Sequence, residues 1–291
     1  LCDRRQRQMC IRDSYPDIAL LKENIGILLR YVDHILVWEN MPKTDAVRYK
    51  VVDSPKIEYV GCGDNVGISR ALNFAWEYAN DNDYDGILTM DQDSIWDNLG
   101  QFLSKIEVSP LKESAIFSPN QGIEYVHIPF NPIDHSITSG MFVPILVLNT
   151  IGGYLEDFLI DGIDIEFCYR ARKFGFNTYT VSGCYLKQRY GTPMVKRFLW
   201  KKYILSNYSP FRLYGILKNF KIISQLYPNE KGVRRELKKV YLYQFVRNIL
   251  FYEDNKKAKL LAIFSGYLHG KYYNRLRITK LLNKCLPNYQ V

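Results

Sequence analysis

Two carboxylates separated by one residue, Asp91 and Asp93, follow the apolar run Gly86–Met90. A short apolar run bounded by polar residues suits a strand covered on both faces. Side chains two apart on a strand point the same way, so both acids would converge at the carboxyl edge of a sheet. That is the edge where open α/β sheets bind ligands. Two hard oxygen ligands, with neither Cys nor His beside them, suit Mg²⁺ or Mn²⁺ held together with a substrate's phosphates. The bland alternative is a chance D-x-D in which Asp93 caps the next turn. A second acidic group, Asp161, Asp164 and Glu166, stands at a predicted helix start. Carboxylates are favoured there by the helix dipole without any chemistry.

The elements that must position these groups alternate in kind. Pro16-Asp17 opens a helix with Leu21, Ile25, Leu28 and Val32 at helical spacing; His34–Trp38 reads as a strand ending in Glu39-Asn40. Lys56–Gly61 reads as a strand, followed by the turn Asp64-Asn65-Val66-Gly67 and a helix from Ile68 to about Asn80. Ala115–Pro119 is a further strand, and Thr138-Ser139-Gly140 turns into another through Val143. A helix from Asp161 to Lys173 is closed by Gly175, and Thr178–Leu186 is the last strand. Strands alternating with helices predict a mostly parallel α/β sheet flanked by helices. Val195–Tyr227 reads as aromatic and basic with helical periodicity divided by Pro210, and Val233–Phe251 and Lys257–Leu268 as amphipathic helices.

At 291 residues, 47% hydrophobic and 24% charged, the chain can bury a sizeable core as one domain with an appendage. Its net charge of +9 is unevenly spread. Residues 1–186 hold 16 basic against 26 acidic residues; residues 187–291 hold 23 against 4. The back part should meet something anionic: a membrane surface, a lipid-linked phosphate or nucleic acid. The six cysteines show no C-x-x-C spacing, which points to a reducing cytoplasm. No run of 18 apolar residues predicts a membrane span, and the charged N-terminus is unlike a signal peptide.

Five motifs in order resemble the family 2 glycosyltransferases of the GT-A fold, in particular the bacterial rhamnosyltransferase-like group. They are Asp64-Asn65-x-Gly67, Asp91-Gln92-Asp93-Ser94, Ser139-Gly140, Asp161-x-x-Asp164-x-Glu166-x-x-x-Arg170 and Ser209-Pro210-x-Arg212-x-Tyr214, spanning Tyr15 to about Asn219. The resemblance implies a GT-A (Rossmann-like) sheet in residues 15–190 and a basic helical region in residues 191–291. It also implies a nucleoside diphosphate sugar donor, a glycan or lipid-linked saccharide acceptor and a Mg²⁺ or Mn²⁺ ion. Tyr15, Glu39, Asn65, Gly67 and Asp91 would contact the nucleotide, Asp91 and Asp93 the metal, and Asp164 would be the catalytic base. The expected activity is inverting transfer of L-rhamnose from dTDP-L-rhamnose in cell-surface polysaccharide (O-antigen-type) synthesis, on the inner face of the membrane. A UDP-hexose transferase, a nucleotidyltransferase and a non-catalytic nucleotide- or nucleic-acid-binding module are the alternatives. Nucleic acid is not expected as a partner.

The chain departs from the family pattern in three places. Gln188 precedes Gly191 where many relatives carry His, and Lys218-Asn219 stands for Arg-Asn. Residues 1–14 fit no family strand; they resemble translated sequencing-adapter read-through and are read as non-native. The family's central first strand is then missing, or Gln8–Arg12 must be recruited into its place.

Overall fold

The computed structural model describes residues 7–13, 17–40, 51–120, 128–188, 194–198 and 201–273. The chain divides into two compact units, the first being Leu1–Asp157 with Ile163–Arg189 and the second Phe158–Gly162 with Tyr190–Val291.

The first unit is built on a nine-stranded sheet. Its parallel part runs β3 (Ile57–Val60), β2 (His34–Glu39), β1 (Arg7–Asp13) and β4 (Gly86–Asp91). Arg7–Asp13 thus fills the place of the first strand, the recruitment given above as the alternative to a gap, and pairs with both β2 and β4. The sheet continues through β8 (Phe142–Pro144), β6 (Ala115–Asn120), β9 (Asn177–Gln188) and β5 (Ser94–Trp96), with β7 (Phe130–Ile133) on β9. β8, β5 and β7 run antiparallel to their neighbours.

Alternation along the strands sorts the core into two faces. Ile35 and Val37 of β2 and Leu88 and Met90 of β4 pack with Leu21, Ile25 and Leu28 of α1 (Ile18–Leu28). Leu36 and Trp38 point the other way, onto Ala71 and Ala75 of α2 (Ile68–Asp81). Helices therefore cover both faces, which is why β2 and β4 are apolar between their ends apart from the buried Thr89. α1 begins where Asp17 Oδ1 accepts the Leu20 N–H at 3.2 Å, an N-cap. Val32, taken above as the last helical residue, lies beyond the helix but is buried. α3 (Leu99–Glu107), β5, β7 and α4 (Ile145–Ile151) were not anticipated. α5 (Ile163–Lys173) ends before Gly175, whose φ is 89°.

The second unit corrects one expectation. Val195–Phe198 and Lys201–Leu205 are not helical: β10 (Met194–Phe198) and β11 (Lys201–Leu205) pair antiparallel, two residues apart. A two-residue connection between short runs favours a hairpin, and the aromatic spacing there was compatible with either period. α6 (Pro210–Leu226) follows, then α7 (Lys231–Glu236), a π-helical stretch (Leu237–Gln244), α8 (Phe245–Tyr252) and α9 (Lys256–Lys271). α9 lies backbone to backbone on α6: a Cβ on Gly266 or Gly270 would come within 2.4 or 2.5 Å of the Tyr214 and Lys218 carbonyl oxygens. Among the described residues no helix is long and apolar enough to cross a membrane.

Candidate functional site

The carboxyl ends of the parallel strands make one sheet edge, and the acidic residues that end β1, β2 and β4 lie on it. β2 ends at Glu39 and β4 at Asp91. β1 lies between them, with Asp13 opposite Glu39 and Arg12 opposite Asp91. Two strand spacings put the two strand ends roughly 10 Å apart.

Asp91 is held from three sides. Its backbone N–H donates to Ser139 Oγ at 3.1 Å, and that hydroxyl donates to Ser94 Oγ at 2.8 Å. Both serines are fully buried. Ser139 arrives there because Gly140 N–H donates to the Thr89 carbonyl at 2.7 Å and Thr89 N–H to the Met141 carbonyl at 2.9 Å. From the third side Gln188 Nε2 donates to Asp91 Oδ2 at 3.3 Å; Gln188 is the β9 residue opposite Ser94 in the β5–β9 pair. Asp93, partly exposed like Asp91, sits in the two-residue turn between β4 and β5. That turn is fixed by the buried Asn24 of α1, whose Nδ2 donates to the Gln92 carbonyl at 2.8 Å.

Whether a divalent cation suits this place is decided by the donors. Among the described residues no three His, Cys, Asp or Glu side chains cluster as a metal site. Mg²⁺ and Mn²⁺ do not need such a cage, since one or two carboxylates plus water and substrate phosphate oxygens complete their shell. Asp91 and Asp93 supply the carboxylates. Gln188 Oε1 is a buried oxygen without a hydrogen-bond partner among the described residues, a further hard donor beside Asp91. The set fits a hard cation.

At the β2 end the arrangement is built on Asn40 as well as on Glu39. Asn40, 8% exposed, donates from Nδ2 to Asn65 Oδ1 at 3.0 Å and accepts the Val66 N–H at 2.9 Å. Asn65 Oδ1 also accepts the Gly67 N–H at 3.2 Å, so its oxygen shapes the turn and its amide nitrogen is the remaining donor. Gly67, with φ 82°, then opens α2. Beside this turn lies a cleft of about 750 Å³ lined by Trp38, Glu39, Tyr59, Gly61, Arg70 and Phe74 among others. Trp38 and Phe74 pack tilted at 5.2 Å. Tyr15 lies outside the described residues.

The acidic group around α5 resolves into three separate tasks. Glu166 and Arg170, 1% and 0% exposed, form a buried fork: Nε to Oε1 at 3.1 Å and Nη2 to Oε2 at 3.0 Å. Arg170 Nη1 also donates to the Ile151 and Gly152 carbonyls, at 2.9 and 3.2 Å. Asp161 is gripped by Arg212. Asp164, partly exposed as Asp161 is, has its Oδ1 accepting the Ile165 N–H at 2.9 Å in the first turn of α5.

Gln188 and Asn40 were quoted in the sequence but given no role, and Asn24 was missed. A polar residue at an otherwise apolar helix position, as Asn24 is, was the available signal.

The α/β architecture is that of GT-A-type proteins. Two crystal structures of S. aureus TarS share it. The 1–349 form superposes with a TM-score of 0.53 at 11% identity, covering 95% of this chain and 83% of that one. The full TarS structure also gives 0.53, at 10% identity, covering 95% of this chain and 50% of its own. In sequence, the chain is 25% identical over 204 residues to dTDP-rhamnosyl transferase RfbF of Shigella flexneri, 62% of this chain and 68% of that protein. No protein-family model matches the chain.

Proposed function

We propose that the chain is a nucleotide-sugar glycosyltransferase that inverts the configuration of the transferred sugar. The observation that carries this reading is the sheet edge where Asp91, fixed by Ser139 and Gln188, precedes Asp93 and ends β4, with only β1 between it and the end of β2, whose Glu39 lines the cleft. The similarity to RfbF, a dTDP-rhamnosyl transferase by name, supports dTDP-L-rhamnose as donor; a cell-surface glycan or lipid-linked saccharide is the acceptor in this reading.

In this reading the cleft takes the flat base against its partly exposed Tyr59 and Phe74, and Glu39 accepts a hydrogen bond from base or ribose. Asn65 supplies an amide donor beside it. Asp91 meets the ribose and, with Asp93, would hold Mg²⁺ or Mn²⁺. The ion, when bound, supplies Lewis-acid neutralisation of the charge that develops on the departing diphosphate. Asp164 takes the proton of the acceptor hydroxyl as its oxygen attacks the anomeric carbon. The bond from that carbon to the diphosphate oxygen breaks on the opposite face, and its electron pair leaves with the nucleotide.

The test is nucleotide release from dTDP-rhamnose, UDP-glucose and UDP-galactose with and without Mn²⁺. At least one donor should turn over, only with the ion. Asp93→Asn should lower that rate at least about a hundredfold, because an amide is a poor anionic ligand and the ion contributes several kcal/mol. Its melting temperature should stay that of the parent. Metal-independent release, or an active Asp93→Asn variant, would sink the metal assignment.

Membrane attachment is a separate proposal, and the exposed apolar side chains of the second unit support α8 and α9 as its place. α6 is covered by α9, with Leu213, Leu217, Phe220 and Ile223 buried. The exposed apolar side chains of the second unit include Leu250 and Phe251 on α8 and Leu261 and Phe264 on α9, with Lys256 and Lys257 exposed nearby in sequence. Lysines beside exposed aromatics suit an anionic lipid surface, at about 1 kcal/mol for each charge near it. Co-sedimentation with vesicles should rise with phosphatidylglycerol content and fall with salt. Binding indifferent to both refutes it.

A further inference from the structure

The Ser209-Pro210-x-Arg212 motif takes no part in the reaction above, yet its side chains are among the most constrained in the second unit. Ser209 Oγ caps α6, accepting the Arg212 N–H at 3.2 Å, and Pro210 occupies the first turn. The root of Arg212 is thereby fixed. Its guanidinium donates two bonds to Asp161, Nε to Oδ2 and Nη2 to Oδ1, both 2.9 Å. Its carbon lies 4.3 Å from the centroid of the Tyr208 ring. The planar fork matches a carboxylate and the ring pins its plane; a lysine reproduces neither contact.

Two helical turns further on, the same face of α6 carries Asn219. This residue is 1% exposed, and its Nδ2 donates to the Ile160 and Asp161 carbonyls at 2.8 and 2.9 Å. One helix face therefore grips the side chain and the backbone of a single turn.

That turn is strained. Asp161 has φ 57° and Gly162 has φ 81°, two left-handed residues in succession. A non-glycine residue in this region is disfavoured and persists where its surroundings over-determine it. Ile163 follows as the first residue of α5, and Asp164 stands in its first turn.

We propose that Arg212 and Asn219 are positioning residues that lock the Asp161–Gly162 turn in its left-handed form and thereby fix the start of α5 from which Asp164 acts. The proposal rests on the glycosyl-transfer reading with Asp164 as base. Arg212 acts through Asp164, and a small displacement of a reacting group from its working geometry costs up to about a hundredfold in rate.

Steady-state kinetics on the full chain, with the donor identified above, tests it. Arg212→Ala should lower kcat about a hundredfold with donor KM within about twofold. Asp161→Asn keeps a residue that tolerates the left-handed region but loses the ion pair, and should lower kcat about tenfold without loss of melting temperature. Arg212→Lys should resemble Asp161→Asn. In an Asp164→Asn background, Arg212→Ala should cause no further loss, because residues acting through one group are not additive. Full additivity in that background overturns the proposal, as does an equal fall of kcat, donor affinity and melting temperature in Asp161→Asn. An active Arg212→Ala enzyme beside a dead Asp164→Asn enzyme removes the clamp alone; an active Asp164→Asn enzyme removes the base and the clamp together.

Discussion

Asp164→Asn should reduce turnover about 10²–10⁴-fold, the range a positioned general base contributes, while donor affinity stays at the parent value. The amide is the same size and keeps an oxygen for the Ile165 N–H that Asp164 now accepts at 2.9 Å. The helix start is therefore preserved and only proton acceptance is lost. The base acts on the acceptor, so titration of the donor by calorimetry should give the same Kd for both proteins, and single-turnover transfer should separate them. If donor affinity falls in step with turnover, Asp164 is a binding or structural residue. The two neighbouring acids are poor substitutes. Glu166 is buried against Arg170 and Asp161 is bonded to Arg212.

The second large effect is on stability. Arg170→Leu should cost about 3–5 kcal/mol, because it strands a buried charge. Glu166, 1% exposed, would lose both arms of its fork, and the Ile151 and Gly152 carbonyls would lose a donor. Urea unfolding of the two proteins measures the difference directly. Adding Glu166→Leu removes the stranded charge and should recover part of the loss, but not the part owed to the two carbonyls. A single variant within about 1 kcal/mol of the parent would mean that Glu166 is neutralised or solvated when its partner is gone.

What could be read in advance follows from the range of the interactions. The strands β2 and β4 and the helices α1 and α2 announce themselves because local period and burial agree: Leu36 and Trp38 face one way, Ile35 and Val37 the other. α3 was equally legible, with Leu99, Phe102, Leu103 and Ile106 buried at helical spacing, but the D-x-D motif beside it drew the reading. The β10–β11 hairpin was not legible, since its aromatic spacing suits a helix as well. At the site, Asp91 and Asp93 stood out because they adjoin an apolar run. The partners of Asp91 did not: Ser139 lies 48 residues away and Gln188 lies 97 residues away. Such contacts depend on which strands become neighbours, and no local pattern encodes that. The separation of Asp161, Asp164 and Glu166 into three tasks likewise needed the positions of Arg170 and Arg212.

The allocation of Phe158–Gly162 to the second unit has a consequence for the order of events on the ribosome. Arg212 is made 51 residues after Asp161, and Asn219 is made 58 residues after it. At roughly 5–20 residues per second, Asp161 waits about 3–10 s for its first partner. Through that interval most of the first sheet has left the tunnel and can pair, whereas the turn leading into α5 has nothing to hold its left-handed backbone. Maturation of the active enzyme is therefore expected to lag behind formation of the sheet. Pulse-labelled chains halted shortly before Arg212 should already resist protease in β2 and β4 while remaining cleavable at Asp161–Gly162.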